Sequence, residues 1–272
     1  MLPSRGLAGT ERVVFKTARM HWANSTIYRK INYQHGRLCK IAKENGLKKI
    51  CAVYHLGIVE YREAYELQKR LREQRLSREI SDTLLLLEHP PTLTVGRSGS
   101  LENVLVSKDK LADEGITLFF IDRGGDVTYH GPGQLVGYPI IDLSQRGQDI
   151  HRYVHDLEEV LIQTLKGFSI AATRYKGHAG VWVNQQEVAA IGLSVRRWVT
   201  MHGFALNVNP DLEHFRYINP CGLPDRTATS MSQLLGHEVP TEEVTTHLIT
   251  CFSDIFDMTM DLVPAEALRS HE

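Results

Sequence analysis

The run AGVWVNQQEVAAIGLSVRRWVTMHGFALNVN, residues 179–209, restricts the fold of this chain more than any other segment. It consists largely of β-branched, aromatic and small apolar residues, and short polar groups interrupt it, which is typical of strands joined by turns. Within it, VNQQEVAAIGLSV (residues 183–195) has the pattern of a strand, a turn and a second strand. The run therefore predicts three or four strands of a sheet.

Helices and further strands are predicted around this run. Ala64, Leu67 and Leu71 recur at helical spacing between charged residues, and a second amphipathic helix is predicted over His151–Lys166. The apolar stretch Thr83–Leu87 predicts a buried strand. Because strands come in runs between separated helices, the sequence predicts the α+β class, with a mixed or antiparallel sheet and flanking helices.

Composition excludes several classes of protein. The chain has 272 residues, of which 42% are hydrophobic, so it is long enough to bury a full core. Its formal net charge of −1 argues against a nucleic-acid partner. No apolar run approaches the length of about 18 residues that a membrane span needs, so a membrane partner is not expected either.

The first fifty residues differ from the rest, since eleven Lys and Arg stand against only Glu11 and Glu44. We predict a basic extension over residues 1–50 that is disordered or a non-native start, a catalytic domain over 51–260 and a flexible tail over 261–272. The lack of an apolar leader favours a cytoplasmic protein, and the alternative is a mitochondrial one in which the basic extension is a transit peptide.

The stretch RGGDVTYHGPGQ, residues 123–134, contains four glycines and a proline. Such a backbone can adopt positive φ and approach a ligand closely, and its N–H groups can hold an oxyanion. Arg123, Tyr129 and His130 add polar groups at its centre. The alternative is a glycine-rich turn region with a structural histidine. The GK[ST] ending of a phosphate-binding loop is absent, so nucleoside triphosphate binding has no support.

Four cysteines are scattered along the chain, with no C-x-x-C pair and no zinc-like spacing, so no metal site is predicted. They are Cys39, Cys51, Cys221 and Cys251. In INPCGLPD, Cys221 lies in a Pro/Gly turn, where it is either an exposed nucleophile or a small buried residue. His202, in front of Gly203, is either structural or, if it comes near Cys221, a base for the thiol.

Several motifs together resemble the lipoyl(octanoyl) transferases, the octanoyl-[acyl-carrier-protein]:protein N-octanoyltransferase family. They are RGGDVTYHGPGQ, GVWV, VAAIG, WVTMHGFALNVNPDL and NPCG, in this order. The resemblance extends from about Ala52 to Phe256 and leaves the basic extension outside. It implies a fold like the catalytic modules of biotin and lipoate protein ligases, which agrees with the predicted α+β class.

The resemblance also implies an activity. Cys221 would attack the octanoyl thioester of acyl carrier protein and pass the octanoyl group to a lysine of a lipoyl domain. The implied acceptors are the lipoyl domains of 2-oxoacid dehydrogenase complexes and the glycine cleavage H protein. No cofactor is expected, because a thioester is already activated. The residues that would line the acyl site are Arg123, Gly124, Gly125, Asp126, Val127, Thr128, Tyr129, His130, Ala190, Ile191, Gly192, Gly203, Phe204 and Ala205.

One residue departs from the family pattern. The family has a lysine directly before the VAAIG segment, where it lowers the pKa of the cysteine and shuttles a proton, whereas this chain has Glu187. An ionised carboxylate next to Cys221 would raise the pKa of the thiol instead. A protonated Glu187 could still donate a proton, His202 or His130 could act as the base, or Glu187 could point away.

Three hypotheses follow from these residues. The first is an active octanoyltransferase with Cys221, Glu187 and His202 as catalytic candidates. The second is an ATP-dependent lipoate or biotin ligase, which predicts a catalytic lysine and a nucleotide-binding loop and leaves Cys221 unexplained. The third is a catalytically impaired acyl-binding homologue, for which Glu187 is the argument.

Overall fold

The computed structural model of the chain describes residues 48–219 and 227–269. In these residues the strands are β1 (Lys49–Ile58), β2 (Asp82–Glu88), β3 (Thr92–Val95), β4 (Thr117–Phe120), β5 (Val127–His130), β6 (Gln134–Ile140), β7 (Thr173–Tyr175), β8 (His178–Val183), β9 (Gln186–Arg196), β10 (Val199–Asn207) and β11 (Met258–Leu262). The helices are α1 (Tyr61–Leu76), α2 (Lys108–Asp113), α3 (Ile150–Gly167), α4 (Met231–Leu235), α5 (Thr241–Phe256) and α6 (Glu266–Arg269).

Two sheets organise the fold. The main sheet has the strand order β11-β1-β2-β6-β10-β9-β8-β7, in which β1 runs parallel to both of its neighbours and the other neighbouring pairs are antiparallel. The small sheet has the order β4-β3-β5. The predicted α+β class, with a mixed sheet and flanking helices, is confirmed.

Helices cover both faces of the main sheet. Leu84 and Leu86 of β2 pack with α3 and α5 on one face, while Leu85 and Leu87 pack with α1 on the other. Successive side chains of a strand point to opposite faces, so a strand covered on both sides needs apolar residues at every position. This explains why the predicted strand over Thr83–Leu87 shows no polar alternation.

The run over residues 179–209 folds as three strands, β8, β9 and β10. Asn184 and Gln185 form the first turn, with φ of 48° and 69°, and Arg197 and Trp198 form the second, also with φ of 48° and 69°. Positive φ at both central residues is the hairpin geometry whose twist matches that of the flanking strands. These turns place β9 between β8 and β10, where its residues 190–192 form part of the site described below.

The glycine-rich stretch is less open than its composition predicts. Val127–His130 form strand β5, which pairs antiparallel with β3. Val127 and Tyr129 are buried in a third core cluster with Leu93 and Phe215. The β-forming residues at the centre of the motif therefore form regular structure, and the glycines flank it.

The described secondary structure begins at Lys49 and ends at Arg269. The proposed division into residues 1–50, 51–260 and 261–272 stays a prediction. Within the described ranges, none of the helices combines the length and the apolarity needed to cross a bilayer.

Candidate active site

A narrow cleft with a cavity volume of about 50 Å³, open to solvent on one side, lies on the face of the main sheet that α1 covers. Its lining residues are Tyr61, Arg123, Gly125, Asp126, Val127, Thr128, His130, Tyr138, Ala190, Ile191, Gly192, His202, Gly203, Phe204 and Ala205. The three segments that the sequence predicts for the acyl site thus meet around one cleft, although they are distant in the chain. Tyr61 and Tyr138 were missed, because nothing in their local sequence separates them from core tyrosines.

Two of the predicted binding residues do not line the cleft. Tyr129 points into the third core cluster, where its ring packs on Phe215 and its hydroxyl is 2.9 Å from Nδ1 of His214. The backbone N–H of Gly124 donates to the carbonyl of Leu193 at 2.7 Å. Gly124 therefore ties the glycine-rich motif to β9.

Two glycines in the wall of the cleft allow neighbouring segments to approach closely. A Cβ at Gly203 would come within 2.2 Å of the carbonyl oxygen of Gly137 and 2.5 Å of Cδ of Pro139. A Cβ at Gly192 would come within 2.9 Å of Cδ of Arg123. Because only glycine permits these approaches, β10 lies against β6 and the Arg123 side chain crosses β9 at the cleft.

Arg123 is buried beside the cleft and held by the small sheet. Its Nη2 donates to the carbonyl oxygen and to Oγ1 of Thr94, both at 2.9 Å, and Nη1 donates to the carbonyl oxygen of Gly124 at 3.0 Å. These bonds fix the positive charge that the sequence predicts at this place.

Three histidines lie at or beside the cleft, and the first, His89, has both ring nitrogens bonded. Its Nδ1 donates to the carbonyl of Val59 at 2.7 Å, so Nε2 accepts from the hydroxyl of Tyr138, also at 2.7 Å. Burial lowers the pKa of His89 to about 4, so the ring is neutral at pH 7. Nothing in the sequence marks His89 as a site residue beyond its position before two prolines.

His130 is held by a chain of side-chain amides. The Nε2 of Gln134 donates to the carbonyl of Tyr129 and to Oδ1 of Asn207, which leaves its Oε1 to accept from Nδ1 of His130 at 2.8 Å. Asn207 in turn donates to the carbonyl of Thr229. Burial lowers the pKa of His130 to about 3, so the ring is neutral and Nε2 keeps its lone pair.

His202 belongs to a second polar network. Its Nε2 donates to Oδ1 of Asp122 at 2.9 Å, and this hydrogen bond holds the pKa of Asp122 well below its ordinary range. Burial lowers the pKa of His202 itself, against the raising effect of Asp122. Asp122 therefore carries the charge, and His202 is a neutral ring that uses Nε2 as its donor. Sequence reasoning missed Asp122.

Glu187 is buried on β9, next to the residues that directly follow segment 220–226 in the chain. Its backbone N–H donates to the carbonyl of Thr227 at 3.0 Å, and its carbonyl accepts from the N–H of Thr229 at 2.9 Å. Cys221 lies outside the described residues. The chain before it is fixed at Asn219, whose N–H donates to the carbonyl of Asn103 at 2.9 Å.

The strand register separates the candidate residues into two ends. His202 pairs with Leu193, six residues along β9 from Glu187, which is about 20 Å at about 3.3 Å per residue. The bonds from His130 through Gln134 and Asn207 reach Thr229 and so the Glu187 end. His130 and His202 line the same cleft, and the register separates only His202 from Glu187.

The two cysteines within the described residues lie away from the cleft. Cys51 is fully buried, and burial raises the pKa of its thiol. Cys251 is half-buried on α5, and burial raises the pKa of its thiol as well. No cluster of His, Cys, Asp and Glu suited to a metal ion occurs in residues 48–219 and 227–269.

The fold and the cleft define a lipoyl protein ligase A/B catalytic domain, whose family model matches residues 60–253. Lipoate-protein ligase A, solved with bound ATP, superposes with a TM-score of 0.65 over 80% of this chain and 91% of that chain, at 16% identity. A bipartite lipoate protein ligase from Thermoplasma acidophilum gives a TM-score of 0.64 at 17% identity, over 82% of this chain and 90% of that chain. At such low identity these likenesses show a shared fold.

Relatives with higher sequence identity define the family more narrowly than the shared fold does. The octanoyltransferase of Caldicellulosiruptor saccharolyticus is 50% identical over 219 residues, which is 80% of this chain and 93% of that protein. The octanoyltransferase of Desulforamulus reducens is 45% identical over 218 residues, 80% of this chain and 96% of that protein. The chain belongs to the lipoyl(octanoyl) transferase family and is an acyltransferase that transfers octanoyl groups.

Proposed function

We propose that the chain takes an octanoyl group from octanoyl-acyl carrier protein onto Cys221 as a thioester and passes it to a lysine of a lipoyl domain. The observation that carries the proposal is the cleft, in which Ala190, Gly192 and Ala205 provide a wall of small residues along β9 and β10. Burying the six methylenes and the terminal methyl of an octanoyl group against such a wall is worth about 5–6 kcal/mol, at about 0.8 kcal/mol per carbon.

The first step is a thioester exchange. The Cys221 sulfur attacks the carbonyl carbon of the octanoyl thioester, a new C–S bond forms, and the bond to the sulfur of the carrier breaks. The thiol proton of Cys221 passes to the departing carrier thiolate. No ATP is consumed, since one thioester replaces another. The cysteines on the described elements are poorer candidates, because burial raises the pKa of both.

The second step forms an amide. The neutral ε-amine of the acceptor lysine attacks the Cys221 thioester, a C–N bond forms and the Cys221 thiolate leaves. The proton that the amine loses returns to that thiolate, so the two steps together neither consume nor release a proton. The pair of steps divides one slow acyl transfer into two easier ones.

The proton must be carried between donor and acceptor, and this chain has no lysine at the family's position. His130 is the candidate whose hydrogen bonds continue through Gln134 and Asn207, and its Nε2 is available to a ligand in the cleft. A pKa of about 3 makes it a hydrogen-bond acceptor but a weak carrier of protons. Transfer in this chain is therefore expected to be slow compared with an enzyme that has the lysine.

The protein partners of the proposed reaction are octanoyl-acyl carrier protein as donor and a lipoyl domain as acceptor. Lipoyl domains of 2-oxoacid dehydrogenase complexes and the glycine cleavage H protein are the acceptors we propose. The Thermoplasma ligase, which shares the fold, is described together with its E2 lipoyl domain.

The position of Glu187 favours a second candidate function, an acyl-binding homologue with impaired transfer. Glu187 is 5% exposed and bonded through its backbone to the residues that follow the 220–226 segment. A carboxylate there opposes thiolate formation at a neighbouring cysteine. In this case the cleft would bind the acyl chain, but no acyl-enzyme would form.

Intact mass after incubation with octanoyl-acyl carrier protein tests both candidates. We expect an octanoyl adduct on the wild-type chain and on the Cys251→Ser control, whose substitution removes a half-buried thiol on α5. We expect no adduct on Cys221→Ala. An adduct that persists in Cys221→Ala would refute the nucleophile, and binding without any adduct would favour the impaired homologue. ATP-dependent octanoylation of a lipoyl domain from free octanoate would instead indicate a ligase.

A further inference from the structure

A second cavity, of about 560 Å³, lies at the edge of the main sheet where β1 and β11 begin. We call it the polar groove, and its walls come from the starts of β1 and α3 and from the end of α5. It shares no lining residue with the cleft described above. Leu143, Tyr153 and Phe256 line it and belong to the core cluster on the α3 and α5 side, whereas the cleft lies on the α1 side. The proposed reaction makes no use of the polar groove.

Two cations of the polar groove, Lys49 and Arg146, form no ion pair with a described residue. Nζ of Lys49 makes a long contact of 3.4 Å with the carbonyl oxygen of Gln145. Nη2 of Arg146 donates to the carbonyl oxygen of Phe256 at 2.6 Å, while its buried Nε has no hydrogen-bond partner in the described part of the chain. A buried guanidinium N–H without an acceptor is unfavourable, and a bound anion would supply the acceptor.

The carboxylates that line the polar groove are committed to other partners. Asp257 pairs with Lys48 at 3.0 Å. Asp149 caps α3 by accepting from the N–H of Arg152, and Asp156 lies 3.9 Å from Nε of the same arginine. The walls of the groove therefore do not neutralise its two unpaired cations.

The charges behind the groove do not balance either. Arg75 is bonded to Asp82 at 2.7 Å and to Asp142 at 3.2 Å, so one cation holds two carboxylates. The pKa of Lys49 responds to both carboxylates, to Arg75 and to Arg146, so these five groups form one electrostatic cluster. Burial and the charge of Arg146 lower the pKa of Lys49. Three cations against two carboxylates leave one positive charge in excess at a partly buried place.

The hydroxyl of Tyr153 is a further donor without an acceptor. Tyr153 is 2% exposed, and its oxygen has no hydrogen-bond partner among residues 48–219 and 227–269. The Thr200 hydroxyl beside it is already used, since it donates to the carbonyl oxygen of Pro139 at 2.7 Å and accepts from the N–H of Ile141 at 2.9 Å. Hydroxyls buried so deeply are normally bonded, so this donor at the groove points to an acceptor on a ligand.

We propose that the polar groove binds a phosphoryl group, either free phosphate or a phosphate ester, through Lys49, Arg146 and Tyr153. These donors come from β1, from the segment between β6 and α3, and from α3, so they suit a tetrahedral anion with oxygens in several directions. Nη2 of Arg146 is already bonded to Phe256, so the guanidinium does not offer the two-pronged contact that suits a planar carboxylate. A cavity of this size also has room for the organic part of an ester.

Titration calorimetry and thermal unfolding of the full chain test the proposal with inorganic phosphate, glycerol 3-phosphate and acetate at matched ionic strength. Concentrations stay in the low millimolar range, because concentrated phosphate stabilises folded proteins in general by its exclusion from their surface. We expect both phosphates to bind and to raise the unfolding temperature, and acetate to do neither. Tighter binding of the ester would identify a phosphate ester as the ligand, and equal binding would identify free phosphate.

Arg146→Gln and Tyr153→Phe each remove a donor from the groove, and Lys49→Gln replaces the first variant if that one folds poorly. We expect each to weaken phosphate binding about tenfold or more, the usual cost of losing one hydrogen bond to a charged group. Without phosphate, Tyr153→Phe should unfold at the wild-type temperature or higher, because it removes a buried hydroxyl that has no partner among the described residues. Lys108→Gln, at an exposed position on α2, is the control for the loss of one positive charge and should bind phosphate as wild type does.

Three results overturn the proposal. The first is equal binding of phosphate and acetate, and the second is phosphate binding that the groove variants leave unchanged. The third is a clear loss of stability in phosphate-free Tyr153→Phe, since the hydroxyl would then have a partner within the protein. None of these measurements involves octanoyl transfer, so the outcome is independent of the proposed function.

Discussion

Glu187 stands where the resemblance to the family predicts a lysine. It is buried on β9, and its backbone bonds to Thr227 and Thr229 fix it beside the end of the 220–226 segment. A lysine there would lower the pKa of a neighbouring thiol, whereas a carboxylate raises it, and each unit corresponds to about 1.4 kcal/mol. Under the proposed mechanism, the sign of the charge at this one position would set the thiolate fraction of Cys221.

Replacing Glu187 with lysine should accelerate acylation. Under the proposed mechanism, Glu187→Lys lowers the pKa of the Cys221 thiol, and each unit gives about tenfold more thiolate at pH 7. We expect adduct formation from octanoyl-acyl carrier protein to rise about tenfold or more, with the rate reaching its plateau at lower pH. Single-turnover rates by intact mass between pH 6 and 9 provide the measurement.

Glu187→Gln is the matched control, since it removes the charge and keeps the shape. Its rate should fall between those of the glutamate and lysine forms. Thermal unfolding of each variant separates charge effects from a damaged fold at this buried site. A well-folded lysine variant that is slower than wild type would contradict this electrostatic account.

The sequence predicted those site residues that belong to continuous motifs. Arg123, His130 and Gly192 belong to segments whose glycines predict a close approach of the backbone to a ligand. All three residues line the cleft. Tyr61 and Asp122 were missed, because a tyrosine at the start of an amphipathic helix and an aspartate after a strand carry no local signal. Their roles arise from β10 and α1 packing together.

At the scale of elements, the contact between β10 and β6 depends on Gly203. Gly203→Ala places a Cβ within 2.2 Å of a backbone oxygen of Gly137, and backbone atoms in a central sheet cannot move aside cheaply. We expect a loss of about 1–3 kcal/mol in the free energy of unfolding, typical of overpacking. Urea denaturation measures it.

Gly124→Ala is the matched control for that substitution. Its Cβ would meet nothing closer than the Leu193 carbonyl at 3.5 Å, an ordinary contact, and its N–H can still donate to that oxygen. The free energy of unfolding should change by less than about 0.5 kcal/mol. Equal losses in the two variants would show that the β10–β6 contact is not the sensitive one.

Long, periodic elements were predictable, whereas two short strands at the edges of the main sheet were not. Helix α3 extends from Ile150 to Gly167, against a predicted His151–Lys166, because Leu157, Leu161 and Leu165 repeat with the helical period over several turns. Strands β7 and β11 gave no usable pattern. They have three and five residues and lie at the edges of the main sheet, so pairing with β8 and β1 decides their conformation.

At the scale of the whole molecule, the buried histidines make stability depend on pH. Burial lowers the pKa of His89 to about 4 and of His130 to about 3, against about 6.5 in an unfolded chain. Between these values the unfolded state binds more protons than the folded state. Stability is therefore fully present above about pH 6.5 and falls as the pH decreases, by up to about 1.4 kcal/mol per pH unit for each histidine.

Urea unfolding at several pH values between 7.5 and 5 tests this expectation. In His130→Gln, the free energy of unfolding should fall less steeply with decreasing pH, because one of the two buried histidines no longer contributes. A lower free energy of unfolding of this variant at every pH would not affect the test. His237→Gln, at an exposed position, should leave the slope unchanged. A wild-type stability that does not fall from pH 6.5 to pH 5 would contradict the assignment of neutral, buried rings.

The sequence by itself determined the fold class, the main helices and strands, the family and the three segments that meet around the cleft. These properties depend on local periodicity and on short motifs, which a linear pattern records. The tertiary structure alone decided that His202 and His130 line the same cleft, with Asp122 bonded to one ring and Gln134 to the other. The pairing of β10 with β9 places His202 opposite Leu193, six residues along β9 from Glu187, and His202 adopts a positive φ there. Both are products of packing between distant parts of the chain.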